Sequence, residues 1–190
     1  GSGGRAPRRR ARPDGRRLPR DRRSRGAAPD GAAGGRPRVF EAIRAARPRR
    51  LFVFADGSRS ARPDDNERCI AARAITERVD WPCDVHREYA DTNRGTPASI
   101  AHGLGVVFRS VDRAIVLEDD CLPDPSFFMF CNTLLERYAA DERIMTIGGS
   151  RPGQLPPSVH SYAFSRYPLI WGWATWRRAG RRTWCIWART

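Results

Sequence analysis

Ala114-Ile115-Val116-Leu117-Glu118-Asp119-Asp120-Cys121-Leu122-Pro123-Asp124-Pro125-Ser126-Phe127-Phe128 is the stretch that decides how this chain reads. Four apolar residues end abruptly in three carboxylates. That is the pattern of a buried strand delivering acids at its C-terminal end. Pro123 and Pro125 make the turn that follows, and Ser126 is placed to cap a helix running to about Ala139. Upstream, Thr96-Pro97 opens a helix to about Arg109, preceded by the turn Asn93-Arg94-Gly95 and a short strand at Cys83-Asp84-Val85-His86. Asp65 to Val79 has helical spacing, with Cys69, Ile70, Ala72, Ala74 and Ile75 as its apolar positions. Leu51-Phe52-Val53-Phe54-Ala55, between Pro48 and Asp56-Gly57, is a second buried strand. Residues 38–46 form a helix with Val39, Phe40 and Ile43 on one face, and Ile144-Met145-Thr146-Ile147 is a further strand. The alternation predicts an α/β domain whose parallel sheet is covered by helices on both faces.

The chain has 190 residues and a mass of 21.4 kDa, enough for one domain with a tail. Its net charge of +14 comes from 35 basic and 21 acidic residues, and every basic residue is Arg. All-Arg usage fits a GC-rich coding sequence. Residues 1–38 hold 13 Arg and 3 Asp, a net of +10, which leaves 22 Arg and 18 acids, a net of +4, for the remainder. Residues 1–37 have one large aliphatic, Leu18, so composition predicts a disordered Arg/Gly/Pro/Ala-rich tail. That tail has no apolar core of a secretory signal, and no aromatic residue on which a base could stack, so nucleic acid is not the expected partner. No apolar run approaches the roughly 18–20 residues of a membrane span. Five cysteines, at 69, 83, 121, 131 and 185, are odd in number and lack CxxC spacing. They argue against a disulfide scaffold or structural zinc and for a reducing, cytoplasmic setting.

Ligands of such sheets sit at the C-terminal ends of the strands. Two strands end in acids here, one in Asp56 and one in Glu118-Asp119-Asp120. Adjacent carboxylates repel one another and call for a cation. Mg²⁺ or Mn²⁺ fits, held by one or two carboxylates together with substrate phosphates and acting as a Lewis acid on a phosphate-bearing leaving group. Other classes fit less well. A haloacid-dehalogenase-type phosphatase needs Asp-x-Asp and a Lys, and a P-loop needs Gly-Lys-Ser/Thr, but the chain has no Lys. No GxGxxG opens a helix. His86, His102 and His160 lack the spacing of a metal triad and read as surface or core-edge residues.

Three segments together resemble nucleotide-sugar glycosyltransferases of the GT-A fold, in particular bacterial proteins related to N-acetylglucosaminyltransferase I. They are Leu51 to Gly57, Ile115 to Phe128, and Ser165-Arg166-Tyr167-Pro168-Leu169-Ile170-Trp171-Gly172-Trp173-Ala174-Thr175-Trp176-Arg177. The resemblance covers residues 38–178 and implies a Rossmann-like domain with a DxD-type motif at Glu118-Asp119-Asp120. It implies that Asp120 ligates Mn²⁺ or Mg²⁺, and that Glu118 and Asp119 contact ribose or water on the ion. Asp56 would receive the uracil end of a UDP-sugar. Trp171, Gly172 and Trp173 would lie by the sugar and an unknown acceptor, with core packing the competing role for the tryptophans.

The chain also departs from that family. The family's first strand precedes the helix at Val39, whereas Asp21 to Gly35 has no strand-like run. No Asp or Glu follows Glu142, where related inverting enzymes carry their general base. Residues 179–190 read as an irregular extension. The expected function is therefore a metal-dependent transferase domain, truncated and inactive as it stands. The alternative is a non-catalytic, transferase-like protein whose Arg-rich arm binds nucleic acid or anionic surfaces.

Overall fold

The computed structural model describes residues 35–150 and 161–179. The predicted tail up to Gly34, His160, and the extension beyond Ala179 lie outside the described residues. Nine elements follow in order: α1 (Gly35–Ala46), β1 (Arg50–Ala55), α2 (Asp65–Thr76), β2 (Asp84–Tyr89), α3 (Thr96–Ser110), β3 (Arg113–Val116), α4 (Ser126–Arg137), β4 (Thr146–Gly148) and β5 (Trp173–Trp176). The chain is thus α/β with mixed strand directions. None of its described helices is long and apolar enough to cross a membrane.

The first half follows the expected pattern. α1 begins at Gly35, three residues before the predicted start, with Pro37 in its first turn, and ends where Arg47 takes φ 46° ahead of Pro48. Its buried face, Val39 and Phe40, meets Trp81, with the Phe40 and Trp81 rings 6.1 Å apart. The Trp81 indole N–H donates to the Pro48 carbonyl at 2.9 Å, so the aromatic body is buried and its polar edge satisfied. β1 and β2 pair in parallel, Leu51 opposite Val85 through Ala55 opposite Tyr89. α3 starts after Gly95, whose φ of 80° suits glycine, and carries Gly103 over the Phe54 ring. A Cβ there would lie 3.1 Å from the ring, so the small residue sets how closely helix and strand approach.

The second half differs from the expected single parallel sheet. β3, β5 and β4 form a separate three-stranded sheet, in that order, with both pairings antiparallel. The physical reason is β5. Trp173-Ala174-Thr175-Trp176 returns from the loop, lies between β3 and β4, and supplies the ladder partner that each lacks. All four of its residues are buried. The second core gathers on it: Phe127, Cys131, Leu134 and Leu135 of α4, with Ile147, Ala174 and Trp176. Burial pushes the Cys131 thiol up to about 12, so it behaves as a small apolar side chain. The Trp176 indole donates to the Leu135 carbonyl at 3.1 Å. Arg178 stacks 4.4 Å from the Trp176 ring and donates to the carbonyls of Tyr138, Asp141 and Ile144, closing the C-terminal end of α4.

Candidate functional site

Asp56 and the acidic triplet both lie where strands end, as expected, but they do different work. β1 terminates in Asp56-Gly57, and β2 terminates beside it in the loop from Ala90 to Gly95. Gly57 passes so close to that loop that a Cβ on it would stand 2.4 Å from the Thr92 carbonyl carbon. Asp56 Oδ1 accepts the N–H groups of Gly57 (3.0 Å) and Arg94 (2.8 Å), and its Oδ2 accepts that of Gly95 (2.9 Å). Burial works to raise its pKa, but these N–H donors outweigh it and hold the carboxyl below its ordinary range. Arg73 bridges the same strand ends by donating to the carbonyls of Asp56 and Ala90, and the Asn93 amide donates to Gly57 O at 3.1 Å. Asp56 is thus an organising clamp. Its two oxygens orient the Arg94-Gly95 turn into α3, which leaves it less free to receive a nucleotide base than the sequence suggests.

The triplet is different. It follows β3 as a tight turn closed by the Cys121 N–H on the Glu118 carbonyl at 3.1 Å. Glu118 is half-buried, and its pKa is raised by burial first and then by the charges of Asp120 and Asp119. Asp119 and Asp120 are exposed. Asp119 pairs with Arg36 of α1. Sequence reading passed over Arg36 because it sits in the Arg-rich run, although Pro37 beside it was the available signal for a helix start. Asp120 accepts a weak bond from the Cys121 thiol at 3.5 Å. Among the described residues no three or more His, Cys, Asp or Glu side chains converge into a metal cage. Among the described residues no hydrogen bond or ion pair joins Asp56 to the triplet.

The tryptophan segment separates into two roles. The β3–β5 ladder ends where Val116 opposes Trp173, and Trp171 lies beyond it. Trp171 is 67% exposed, whereas Trp173 is buried within β5 and Trp176 within the core. Gly172 makes the switch possible. Its φ is 72°, and a Cβ there would touch Leu117 and the Phe127 ring. The Gly149 N–H and the Ser150 hydroxyl hold this turn through the carbonyls of Gly172 (2.9 Å) and Trp171 (2.8 Å). Trp173 is therefore a core residue, and Trp171 is the exposed aromatic face of the segment. Ser126 does not cap α4. Asp124 does so, accepting from the Ser126 N–H at 2.9 Å and from its hydroxyl. His102 pairs with Glu88, and His86 packs by Phe52 and Phe54, both outside the acidic site. Compared with protein families, curated proteins and solved structures, the chain matches none.

Proposed function

We propose that this chain is the donor-binding part of a GT-A-type nucleotide-sugar glycosyltransferase, with a UDP-sugar as donor, Mn²⁺ or Mg²⁺ as its ion, and an unidentified glycan or other hydroxyl compound as acceptor. The observation that supports the reading is the acidic turn after β3, in which Asp119 and Asp120 are exposed. A hard divalent ion that takes one or two carboxylates completes its shell with phosphate oxygens and water. An all-oxygen turn with no protein cage suits an ion that arrives with a diphosphate. When bound, that ion supplies Lewis-acid stabilisation of the leaving diphosphate. Asp120, for which the described residues supply no cationic partner, is its ligand. Glu118 and Asp119 face the ribose side, and Asp119 exchanges Arg36 for the ligand as it does so. Trp171 offers an aromatic face to the C–H surface of the sugar.

Turnover needs one more group. The acceptor hydroxyl needs a base within hydrogen-bond reach, worth about 10²–10⁴-fold. Asp124 is committed to the start of α4 and Asp56 to the Arg94-Gly95 turn. Asp91, exposed just after β2, is a candidate for that role. The test is calorimetry of UDP with and without Mn²⁺, on the full chain and on Asp120→Ala. Metal-dependent binding that Asp120→Ala abolishes is the expected result. Equal UDP affinity with and without metal would sink the proposal.

A further inference from the structure

The chain between β4 and β5 presents its aromatic residues to solvent. Phe164 is 68%, Tyr167 77% and Trp171 67% exposed, so three of the six large apolar side chains exposed among the described residues fall within eight positions. Single exposed apolar residues are ordinary, but a run of them marks a contact surface. This run follows α4 from end to end. Phe164 packs against Tyr138, which closes the C-terminal end of that helix, with ring centres 5.8 Å apart. Gly172 lies against Phe127, the helix's second residue, since a Cβ on it would stand 3.7 Å from that ring. From Phe127 to Tyr138 the helix rises about 16 Å. Phe164 and Trp171 therefore mark the two ends of a ridge, with Tyr167 between them in the chain.

The ridge is held in place by its own contacts. Phe164 meets Tyr138 and Tyr162 edge to face, at 78° and 83°, and the two tyrosine hydroxyls share a hydrogen bond of 2.7 Å. The Ser165 hydroxyl accepts the Tyr167 N–H at 3.2 Å and donates to the Tyr167 carbonyl at 3.1 Å, which fixes the backbone that carries this ring. The Ser150 hydroxyl holds Trp171 through its carbonyl. Rigid aromatic side chains on a fixed backbone lose little entropy when they bind. Charge narrows the partner. Residues 161–172 contain one charged residue, Arg166, which is exposed and has no hydrogen-bond or ion-pair partner among the described residues. No Asp or Glu follows Glu142 in the chain, and Asp141, near the Tyr138 end, is neutralised by Arg143 at 2.8 Å. The ridge thus offers three rings and one open cation.

We propose that this ridge binds an oligosaccharide bearing carboxylates, a uronic-acid glycan, laid along α4. The aromatic faces take the C–H surfaces of the sugars, and the Arg166 guanidinium takes a carboxylate, whose two oxygens match its fork. The carboxylate's single charge balances one guanidinium, whereas a phosphate monoester brings nearly two. Nucleic acid fits less well, because it carries a phosphate with every base and the ridge has one cation for three rings. A bilayer fits less well, because Ser165 and Arg166 stand between Phe164 and Tyr167 and break the apolar face that insertion needs. A ridge about 16 Å long suits several linked sugars better than one. The inference rests on the transferase reading in one respect: the glycan is then the acceptor. Its way to the donor follows the chain, since a Cβ on Gly172 would lie 3.5 Å from the Leu117 side chain, and Leu117 precedes Glu118.

Calorimetry on the full chain, with neither UDP nor metal present, tests this with a uronic-acid tetrasaccharide and with the neutral tetrasaccharide of the same linkage. The acidic probe should bind more tightly. Tyr167→Ala should weaken it at least about fivefold. Arg166→Gln should weaken it about two- to fivefold and leave the neutral probe's affinity unchanged, which removes the preference. Both side chains are exposed, so Tm should stay where it is. No binding of either probe, equal affinity for the two, or an affinity that neither variant changes overturns the proposal. So does binding of a single-stranded oligonucleotide or of anionic-lipid vesicles that Tyr167→Ala abolishes, which would give the ridge to those partners. If Tyr167→Ala fails to fold, Arg166→Gln still decides. Because donor and metal are left out, saccharide binding can fail while metal-dependent UDP binding stands, and the reverse.

Discussion

Asp56→Asn separates the clamp from a nucleotide contact. In the folded chain Oδ1 accepts two backbone N–H groups and Oδ2 accepts the Gly95 N–H at 2.9 Å. The amide keeps one acceptor and turns an NH₂ group towards a second donor. One charge-assisted hydrogen bond is lost and a donor is left facing a donor, a cost of about 1.5–3 kcal/mol. For a domain between the ~100- and ~150-residue classes, each kcal/mol moves Tm by roughly 3–5 °C. The expected fall is therefore about 5–15 °C without any ligand present. The pH dependence carries a sign. The folded pKa of Asp56 lies below its ordinary value, so the carboxylate's contribution is present above the unfolded pKa of about 4 and is lost as the pH falls through the folded pKa. The gap in Tm between the two proteins should be full near neutrality and should narrow under acid. Thermal unfolding followed by circular dichroism at both pH values reads it. An Asp56→Asn protein that melts within about 1 °C of the parent at pH 7 would refute the clamp, since a ligand contact alone leaves the empty fold unchanged.

The tryptophans should divide cleanly. Trp176→Ala should cost about 3–5 kcal/mol of stability, because its buried indole also satisfies the Leu135 carbonyl. Trp171→Ala should leave Tm unmoved while weakening binding of a UDP-sugar more than binding of UDP, read by calorimetry. Gly57→Ala places a methyl group 2.4 Å from the Thr92 backbone and should cost about 1–3 kcal/mol in chemical denaturation, with backbone shifts in the Asp91–Gly95 loop. Sugar transfer from a UDP donor should fall well below about 1 s⁻¹. A faster rate would place a working base at Asp91, and Asp91→Asn would then remove it.

The elements of the first half were legible in the sequence because their signals are local. An apolar run bounded by Pro48 and Gly57 is a strand wherever it lies, and Thr96-Pro97 starts a helix from its own chemistry. The acids at the ends of β1 and β3 were legible for the same reason, since a strand's last residue is set by where its apolar run stops. Pairing is not local. Nothing in Ile115 or Ile147 tells of the distant Trp173-Ala174-Thr175-Trp176 segment, so the antiparallel sheet became visible only when β5 was seen between them. The roles of like residues divided for a similar reason. Trp171 and Trp173 have the same side chain, and the positive φ of Gly172 turns one to solvent and the other into the core. Asp56 and Asp120 are both carboxylates at strand ends. The nearness of the Arg94-Gly95 turn gives the first two N–H partners besides that of Gly57, and the absence of such a turn leaves the second exposed for a cation. Composition and spacing determine which groups are present and where each element begins. The tertiary structure decides which of them are already used, because hydrogen-bond satisfaction depends on what the rest of the chain brings alongside.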